Sequence, residues 1–194
     1  MKMDMSSIII VCGPPAAGKT VLSKRIASSL HLPLLSKDQI KTDIYDAFVK
    51  NEIVNDQEVS IASYAVLFNT LKELIKAKVD VVIESNFDAF MSPKKLLGIK
   101  EEMNFRSLTI MCSADLEVLH RRFIIREHSN ERHPNLVTKK YWDFDYFYES
   151  QQNANSYSFD IGGSKINYDA TVFSQSRIDT VIEKSRSFIL NKKI

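Results

Sequence analysis

Eight consecutive residues, Gly13-Pro14-Pro15-Ala16-Ala17-Gly18-Lys19-Thr20, follow the spacing G-x-x-x-x-G-K-T, and no other feature constrains this chain as tightly. A loop of this kind curls backbone N–H groups around phosphate oxygens, which requires glycine where the chain turns most sharply. The lysine adds a positive charge at the β and γ phosphates, and the threonine hydroxyl is placed to ligate Mg²⁺. The flanks agree. Ser7-Ile8-Ile9-Ile10-Val11-Cys12 is a β-branched run of buried-strand type, and Val21, Leu22, Ile26 and Leu30 then recur at helical spacing. Strand, glycine loop and helix, in that order, aim a helix N-terminus at an anion. A plain Gly/Pro turn needs none of this context, so nucleotide binding is expected.

A chain of 194 residues has room for one domain with a sizeable core and a small lid or insertion. Its net charge of +2 is too mild for a surface that coats nucleic acid, although a local basic patch is compatible with it. Cys12 and Cys112 both fall at the ends of expected buried strands. A disulfide is conceivable, but two thiols in apolar surroundings fit reduced core residues better. The opening Met1-Lys2-Met3-Asp4-Met5 lacks the apolar core of a signal peptide, and no stretch reaches membrane-spanning length. A cytoplasmic protein with no membrane partner is expected, and its oligomeric state is not legible.

Strand-like and helix-like segments alternate, which argues for a parallel α/β sheet. Pro33 precedes a short apolar pair, Leu34-Leu35, and Ser36 with Gln39 predicts a capping box for a helix reaching about Lys50. Asn55 and Asp56 open a long helix whose inner face is expected to carry Ile61, Tyr64, Ala65, Phe68, Leu71 and Ile75. Strands are expected at Val79–Ile83, Leu108–Cys112 and Lys165–Tyr168. Helices should follow Ser92-Pro93 and Ser113-Ala114-Asp115, with a closing helix over Gln175–Leu190. Residues 130–160 are polar, aromatic and irregular, and read as lid and connecting loops.

Phosphoryl transfer needs positioning and charge neutralisation, so the informative residues are a base, an acid for the metal, and arginines. Asp38 lies just past the second strand, at the sheet edge where the phosphate loop also lies, and can accept a proton from an acceptor hydroxyl. A helix-dipole role at the first turn explains it equally well. Lys41 shares its helix face and can hold an anionic acceptor, or sit as a solvated lysine. The strand ending in Glu84-Ser85-Asn86-Phe87-Asp88 puts a carboxylate where a metal partner is needed, with Asn86 able to orient substrate or water. Four of the eight arginines crowd into Arg121, Arg122, Arg126 and Arg132. Arg122 and Arg126 share a face, with Leu116, Leu119 and Phe123 marking the core side, and a basic helix running into an irregular segment suggests a lid over ATP. Histidines 31, 120, 128 and 133 lack metal-ligand spacing.

With these residues in hand, the chain resembles the P-loop kinases grouped around polynucleotide kinase, chloramphenicol phosphotransferase and zeta toxin. The resemblance rests on Gly13–Thr20, Leu35-Ser36-Lys37-Asp38-Gln39-Ile40-Lys41, Val81-Val82-Ile83-Glu84-Ser85-Asn86-Phe87, and Leu119-His120-Arg121-Arg122-Phe123-Ile124-Ile125-Arg126. In that group the second motif usually reads Asp-x-x-Arg, its aspartate activating the acceptor hydroxyl and its arginine holding acceptor phosphate. Asp38 matches, and Lys41 stands in place of the arginine, which weakens a bidentate grip on nucleic-acid phosphate. The group's strand motif commonly reads Asp-x-Thr-Asn. Glu84 and Asn86 match it in type, and Arg122 and Arg126 match its paired lid arginines.

The expected fold is therefore a five-stranded, largely parallel α/β sandwich of the nucleoside-kinase type, one domain with a small lid near residues 127–150. The expected activity is an ATP- and Mg²⁺-dependent kinase acting on a hydroxyl of a small-molecule acceptor. Gly13, Pro14, Pro15, Ala16, Ala17, Gly18 and Lys19 would hold the phosphates, and Thr20 and Glu84 the metal. Asp38, Lys41, Asn86 and Trp142 would meet the acceptor, while Arg122, Arg126 and Arg132 neutralise the migrating phosphoryl group. Two alternatives stay open: a 5′-hydroxyl polynucleotide kinase, and a nucleotide-dependent switch that needs no acceptor base. Against the former, Trp142-Asp143-Phe144-Asp145-Tyr146-Phe147-Tyr148-Glu149 is aromatic but acidic, which repels a phosphate backbone and suits a neutral or cationic acceptor.

Overall fold

A computed structural model describes residues 5–48, 55–87, 91–129 and 133–191. Five strands build one sheet: β1 (Ser7–Cys12), β2 (Leu34–Ser36), β3 (Val81–Glu84), β4 (Arg106–Ser113) and β5 (Ser164–Asp169). Their spatial order is β2-β3-β1-β4-β5, and every neighbouring pair runs parallel. Crossovers are made by α1 (Lys19–Leu30), α2 (Lys37–Ala47), α3 (Asp56–Lys76), α4 (Met91–Met103) and α5 (Leu116–Glu127). An additional helix, α6 (Phe144–Ala154), and the closing helix α7 (Gln175–Leu190) complete the α-helices among the described residues, beside three short 3-10 turns at Pro134–Leu136, Lys139–Trp142 and Ser156–Ser158.

The central strand explains the layering. Successive side chains of β1 point to opposite faces, and all six of its residues are buried. Ile9 and Val11 join Leu22, Ile26, Leu119, Phe123 and Ile178 from α1, α5 and α7. Ile8 and Ile10 join Leu67, Leu71 and Leu96 from α3 and α4 on the other face. A strand covered on both sides reads as a continuous apolar run rather than an alternating one, which is what Ile8–Val11 shows. Cys12 and Cys112 are buried, free thiols. Loss of hydration pushes both thiols up to about 12.

Several local expectations shift. The inner face of α3 runs through Val59, Ser63, Leu67, Phe68, Leu71 and Ile75, while Ile61 and Ala65 face solvent. Tyr64 lies between the two faces, and its hydroxyl bonds Ser85 at 2.9 Å. The strand expected at Val79–Ile83 sits at Val81–Glu84, because its pairing with β1 runs from Ile8↔Val81 to Val11↔Glu84. Residues 144–154, expected as loop, form α6, which begins where the Asp143 carboxylate accepts from the Tyr146 N–H. That helix is held by Phe147, fully buried against Phe123. Helix α2 ends at Ala47, short of Lys50, which lies outside the described residues. No helix among the described residues is long and apolar enough to cross a membrane.

Candidate active site

The parallel sheet brings the carboxyl ends of β2, β3 and β1 side by side, with Ser36 and Val11 both in register with Glu84. The phosphate loop leaves β1 there. At Gly13 the backbone takes φ +131°, and an added Cβ would sit 2.2 Å from the Cys112 carbonyl oxygen, so only glycine fits against the end of β4. Ala16 is also left-handed, at φ 63°, a conformation costing an L-residue about 1–2 kcal/mol. Gly18, at φ 77°, then opens α1. The Lys19 ammonium is buried inside this turn and donates to the Pro14 carbonyl at 2.7 Å. Its burial pushes the Lys19 pKa down, against the raising influence of Glu84.

Glu84 is 3% exposed at the tip of β3. Its carboxylate accepts from the Thr20 hydroxyl at 3.5 Å and from the Ser36 hydroxyl at 2.7 Å. Desolvation pushes its pKa up, with Lys19 pulling the other way. One carboxylate and two hydroxyls, all hard oxygen donors converging beside the phosphate loop, suit Mg²⁺ bound partly through water. The expected capping box does not form: Ser36 precedes α2 without a side-chain cap, because its hydroxyl is turned to Glu84. The Gln39 amide meets Asp43 instead, at 2.8 Å.

Three connected cavities meet at this point. A pocket of about 210 Å³ is lined by Ala16, Gly18, Lys19, Thr20, Val21, Arg122 and Arg126, the phosphate-sized centre. One arm, about 310 Å³, leads past Arg122 to apolar walls that include Leu22, Tyr168, Phe173 and Ile178. The other is a cleft of about 860 Å³ that shares Thr20, Val21 and Arg126 with the centre and carries Asp38, Gln39, Thr42 and Asp43 on its α2 wall. Val21, one of the apolar residues at helical spacing in α1, is 54% exposed and borders all three spaces.

The arginines divide between two tasks. Arg122 donates to the carbonyls of Ala170 at 2.7 Å and Thr171 at 3.2 Å, clamping the turn after β5. Arg126 stacks its guanidinium over the Phe123 ring at 5.3 Å and lies 3.7 Å from the Glu127 carboxylate. Arg132 lies outside the described residues. Asp38 stays half exposed in the large cleft, 3.7 Å from the Lys37 ammonium. Lys41 turns the other way. It is buried toward α3, with its ammonium 2.6 Å from Asp56, whose carboxylate also accepts the Tyr45 hydroxyl. Asn86 is exposed in the turn after β3. Trp142 lies against His128, ring centres 4.5 Å apart, and is not among the residues lining the cleft.

Residues 8–144 match a family model described as an AAA domain. The chain belongs to this family. No curated protein matches it. Among solved structures, a candidate kinase from Chloroflexus aurantiacus superimposes with a TM-score of 0.78 at 24% identity, over 98% of this chain and 100% of that one. Shikimate kinase from Acinetobacter baumannii, in complex with shikimate, gives 0.61 at 15% identity over 98% and 96% of the two chains. A sugar kinase from Janibacter sp. HTCC2649 gives 0.59 at 14% over 96% and 95%. The fold of this AAA domain is thus that of the P-loop kinases, a five-stranded parallel sheet flanked by helices.

In this AAA domain residues 133–138 are tied down by contacts that sequence patterning passed over. The buried Glu127 carboxylate accepts the Thr138 N–H at 2.6 Å. His133 stacks on Tyr45 with ring centres 5.6 Å apart and approaches Asp46 at 3.2 Å, so the segment rests on α2 beside the large cleft. Glu127 and His133 carry no spacing signal, and the one at Ser36 points to a helix cap, because each takes its role from a tertiary partner: Thr138, Asp46 and Glu84 respectively.

Proposed function

We propose that this AAA domain is an ATP- and Mg²⁺-dependent kinase that transfers the γ-phosphoryl group to a hydroxyl of a small-molecule acceptor. The observation that carries this reading is the large cleft, which holds Asp38 and opens through Thr20 and Arg126 onto the phosphate pocket. A switch has no need of a cleft with a carboxylate beside its phosphates. Lys19 and the loop N–H groups hold the β and γ phosphates, and Thr20 and Glu84 hold the metal, with Ser36 steering the carboxylate. Bound there, Mg²⁺ neutralises charge on the phosphate oxygens. Asp38 takes the proton from the acceptor hydroxyl as the acceptor O–P bond forms, while the bond from the γ phosphorus to the bridging oxygen breaks and ADP leaves. Arg126 and the positive end of α1 stabilise the charge that spreads over the migrating group.

The finer kinship, with the polynucleotide kinase, chloramphenicol phosphotransferase and zeta toxin group, rests on the motifs alone. Within it a small-molecule acceptor is favoured over a 5′-hydroxyl polynucleotide. The lysine standing where that group's phosphate-gripping arginine would be is bound to Asp56, and the α2 wall carries Asp38 and Asp43. A cytoplasmic location fits a nucleotide-dependent enzyme. The test is a screen with labelled ATP against hydroxylated metabolites, antibiotics, nucleosides and 5′-hydroxyl oligonucleotides, repeated with Asp38→Asn. Transfer to the preferred acceptor should fall by roughly 10²–10⁴-fold in the variant, with ATP affinity unchanged. Full activity in the variant removes Asp38 from the mechanism, and a preference for oligonucleotides replaces the acceptor class.

A further inference from the structure

The apolar arm beside the phosphate pocket has a polar inventory that decides how a nucleobase is read there. Its lining consists of Ala16, Gly18, Val21, Leu22, Arg122, Tyr168, Ala170, Phe173 and Ile178, in a volume of about 310 Å³. Reading adenine against guanine requires hydrogen-bonding groups committed to one edge pattern: a donor at N1 with an acceptor at the 6-amino group, or the reverse. Among the described residues that line the arm no carboxylate or carboxamide is present.

In the turn after β5, at the arm's rim, the polar groups of Ala170 and Thr171 are engaged. The Ala170 N–H donates to the Ser113 carbonyl at 2.7 Å, and the Ala170 carbonyl accepts from Arg122. The Thr171 N–H donates to the Asp169 carboxylate at 2.8 Å, its carbonyl accepts from the same guanidinium, and its hydroxyl accepts from the Asp115 N–H at 3.0 Å. Arg122 itself directs both terminal nitrogens to these carbonyls, and its planar, cationic side chain lines the cavity. The remaining lining hydroxyl belongs to Tyr168, and a phenol both donates and accepts, so it meets a 6-amino or a 6-oxo group equally well. What the arm offers strongly is surface: the Arg122 plane, the Phe173 ring, still 65% exposed, and the aliphatic Val21, Leu22 and Ile178.

We infer that the donor site accepts purine nucleotides by stacking and shape, without distinguishing adenine from guanine. Stacking is tolerant of base identity because every base has a π face. Sites that discriminate through hydrogen bonds reject the wrong partner by 10⁴-fold or more, whereas shape alone yields roughly 10–200-fold even for a missing methylene. The two purines differ in exocyclic groups rather than in stacking area, so the discrimination here falls at or below the lower end. The inference rests on the proposed nucleotide-binding role of the phosphate loop, and names the donor class for it.

Equilibrium binding of ADP and GDP to the full chain with Mg²⁺, by calorimetry or displacement of a fluorescent ADP, tests it without any knowledge of the acceptor. The two dissociation constants are expected to lie within about tenfold of each other. Phe173→Ala should weaken both by a similar factor, and Tyr168→Phe should shift both by less than about threefold. A preference above tenfold for either nucleotide overturns the inference while leaving the nucleotide-binding reading intact. Loss of one nucleotide only in Tyr168→Phe overturns it likewise, by making that hydroxyl a base reader. Failure of ADP itself to bind overturns the inference and the proposed function together.

Discussion

The donor and acceptor sides of the site are built by different means. On the donor side, the phosphate loop is eight contiguous residues between β1 and α1, and its partners Ser36 and Glu84 sit on strands in direct register with it. Backbone geometry does most of the positioning: Gly13 packed on the Cys112 carbonyl, Ala16 left-handed, Lys19 folded back on Pro14. On the acceptor side, side chains from α1, β2, α2, α5 and the turn at Pro134–Leu136 converge from far apart in the chain. There, orientation is decided by tertiary partners. Lys41 follows Asp56, Trp142 follows His128, and His133 follows Tyr45 and Asp46. A buried loop with one backbone solution tolerates little change, whereas a surface cleft can lose a wall residue and keep its shape.

The sharpest way to break this contrast is Lys19→Ala. The ammonium sits where charge grows on the migrating phosphoryl group, so transfer should fall by about 10³-fold or more. The fold should hold, as circular dichroism and a thermal melt would register, because the side chain packs into the loop rather than the core. Turnover at the wild-type rate in a folded variant would remove the phosphate-loop assignment.

Glu84→Gln probes the same side through pH. Burial raises the Glu84 pKa, so the carboxyl stays protonated up to a higher pH than an ordinary glutamate, and only its ionised form can ligate the metal. Protons should therefore compete with the metal, so that apparent Mg²⁺ affinity falls with decreasing pH through a value above the usual 4.5. The amide variant should lose that acid limb along with about 10–100-fold of apparent Mg²⁺ affinity. An unaltered acid limb in the variant would assign it to another group, and unchanged Mg²⁺ dependence would take Glu84 out of the metal site.

How much of this was legible from sequence follows the same divide. The strand–loop–helix unit, the parallel sheet, the closing helix over Gln175–Leu190 and the position of Glu84 at a strand tip all appear as local patterns. They depend on neighbours within a few residues or on a strand's own apolar run. The role of Ser36 was hidden because a serine before a helix is an ordinary cap, and only the pairing of β2 with β3 brings Glu84 within reach. Helix α6 was hidden because its exposed face is aromatic rather than polar, with Phe144, Tyr146 and Tyr148 in solvent and Phe147 alone fully buried. Ile61 misled for a related reason. Helix α3 buries small and apolar residues from Val59 through Ser63 to Leu67, a stripe offset from the one its large residues suggest.

A moderate effect is expected on the acceptor side at Lys41→Met. The lysine is buried, but its partner Asp56 has a side chain 67% exposed and can be rehydrated. Stability should drop by about 1–2 kcal/mol, read by denaturant unfolding. Acceptor KM should stay within about threefold of wild type, since the ammonium faces α3. A tenfold rise in acceptor KM at unchanged stability would return Lys41 to the acceptor site and reopen the case for an anionic substrate.

The smallest effect belongs to Trp142→Ala, and it bears on whether the two sides stay separate. Trp142 is 38% exposed and spends its ring face on His128 at the end of α5, away from the residues that line the cleft. Losing one aromatic contact at a half-open site should cost about 0.5–1.5 kcal/mol. With the cleft as it stands, KM for acceptor and for ATP should both remain within about threefold of wild type. The acidic-aromatic segment nonetheless follows Arg126 and Glu127, whose region borders the phosphate pocket, and the Thr138 anchor on Glu127 lies only a few residues ahead of it. If the segment swings over the acceptor during turnover, removing the indole should raise acceptor KM more than tenfold while leaving ATP KM alone. That split would make Trp142 part of an acceptor pocket completed on closure, whereas equal small changes would make it a strut that seats the segment on α5.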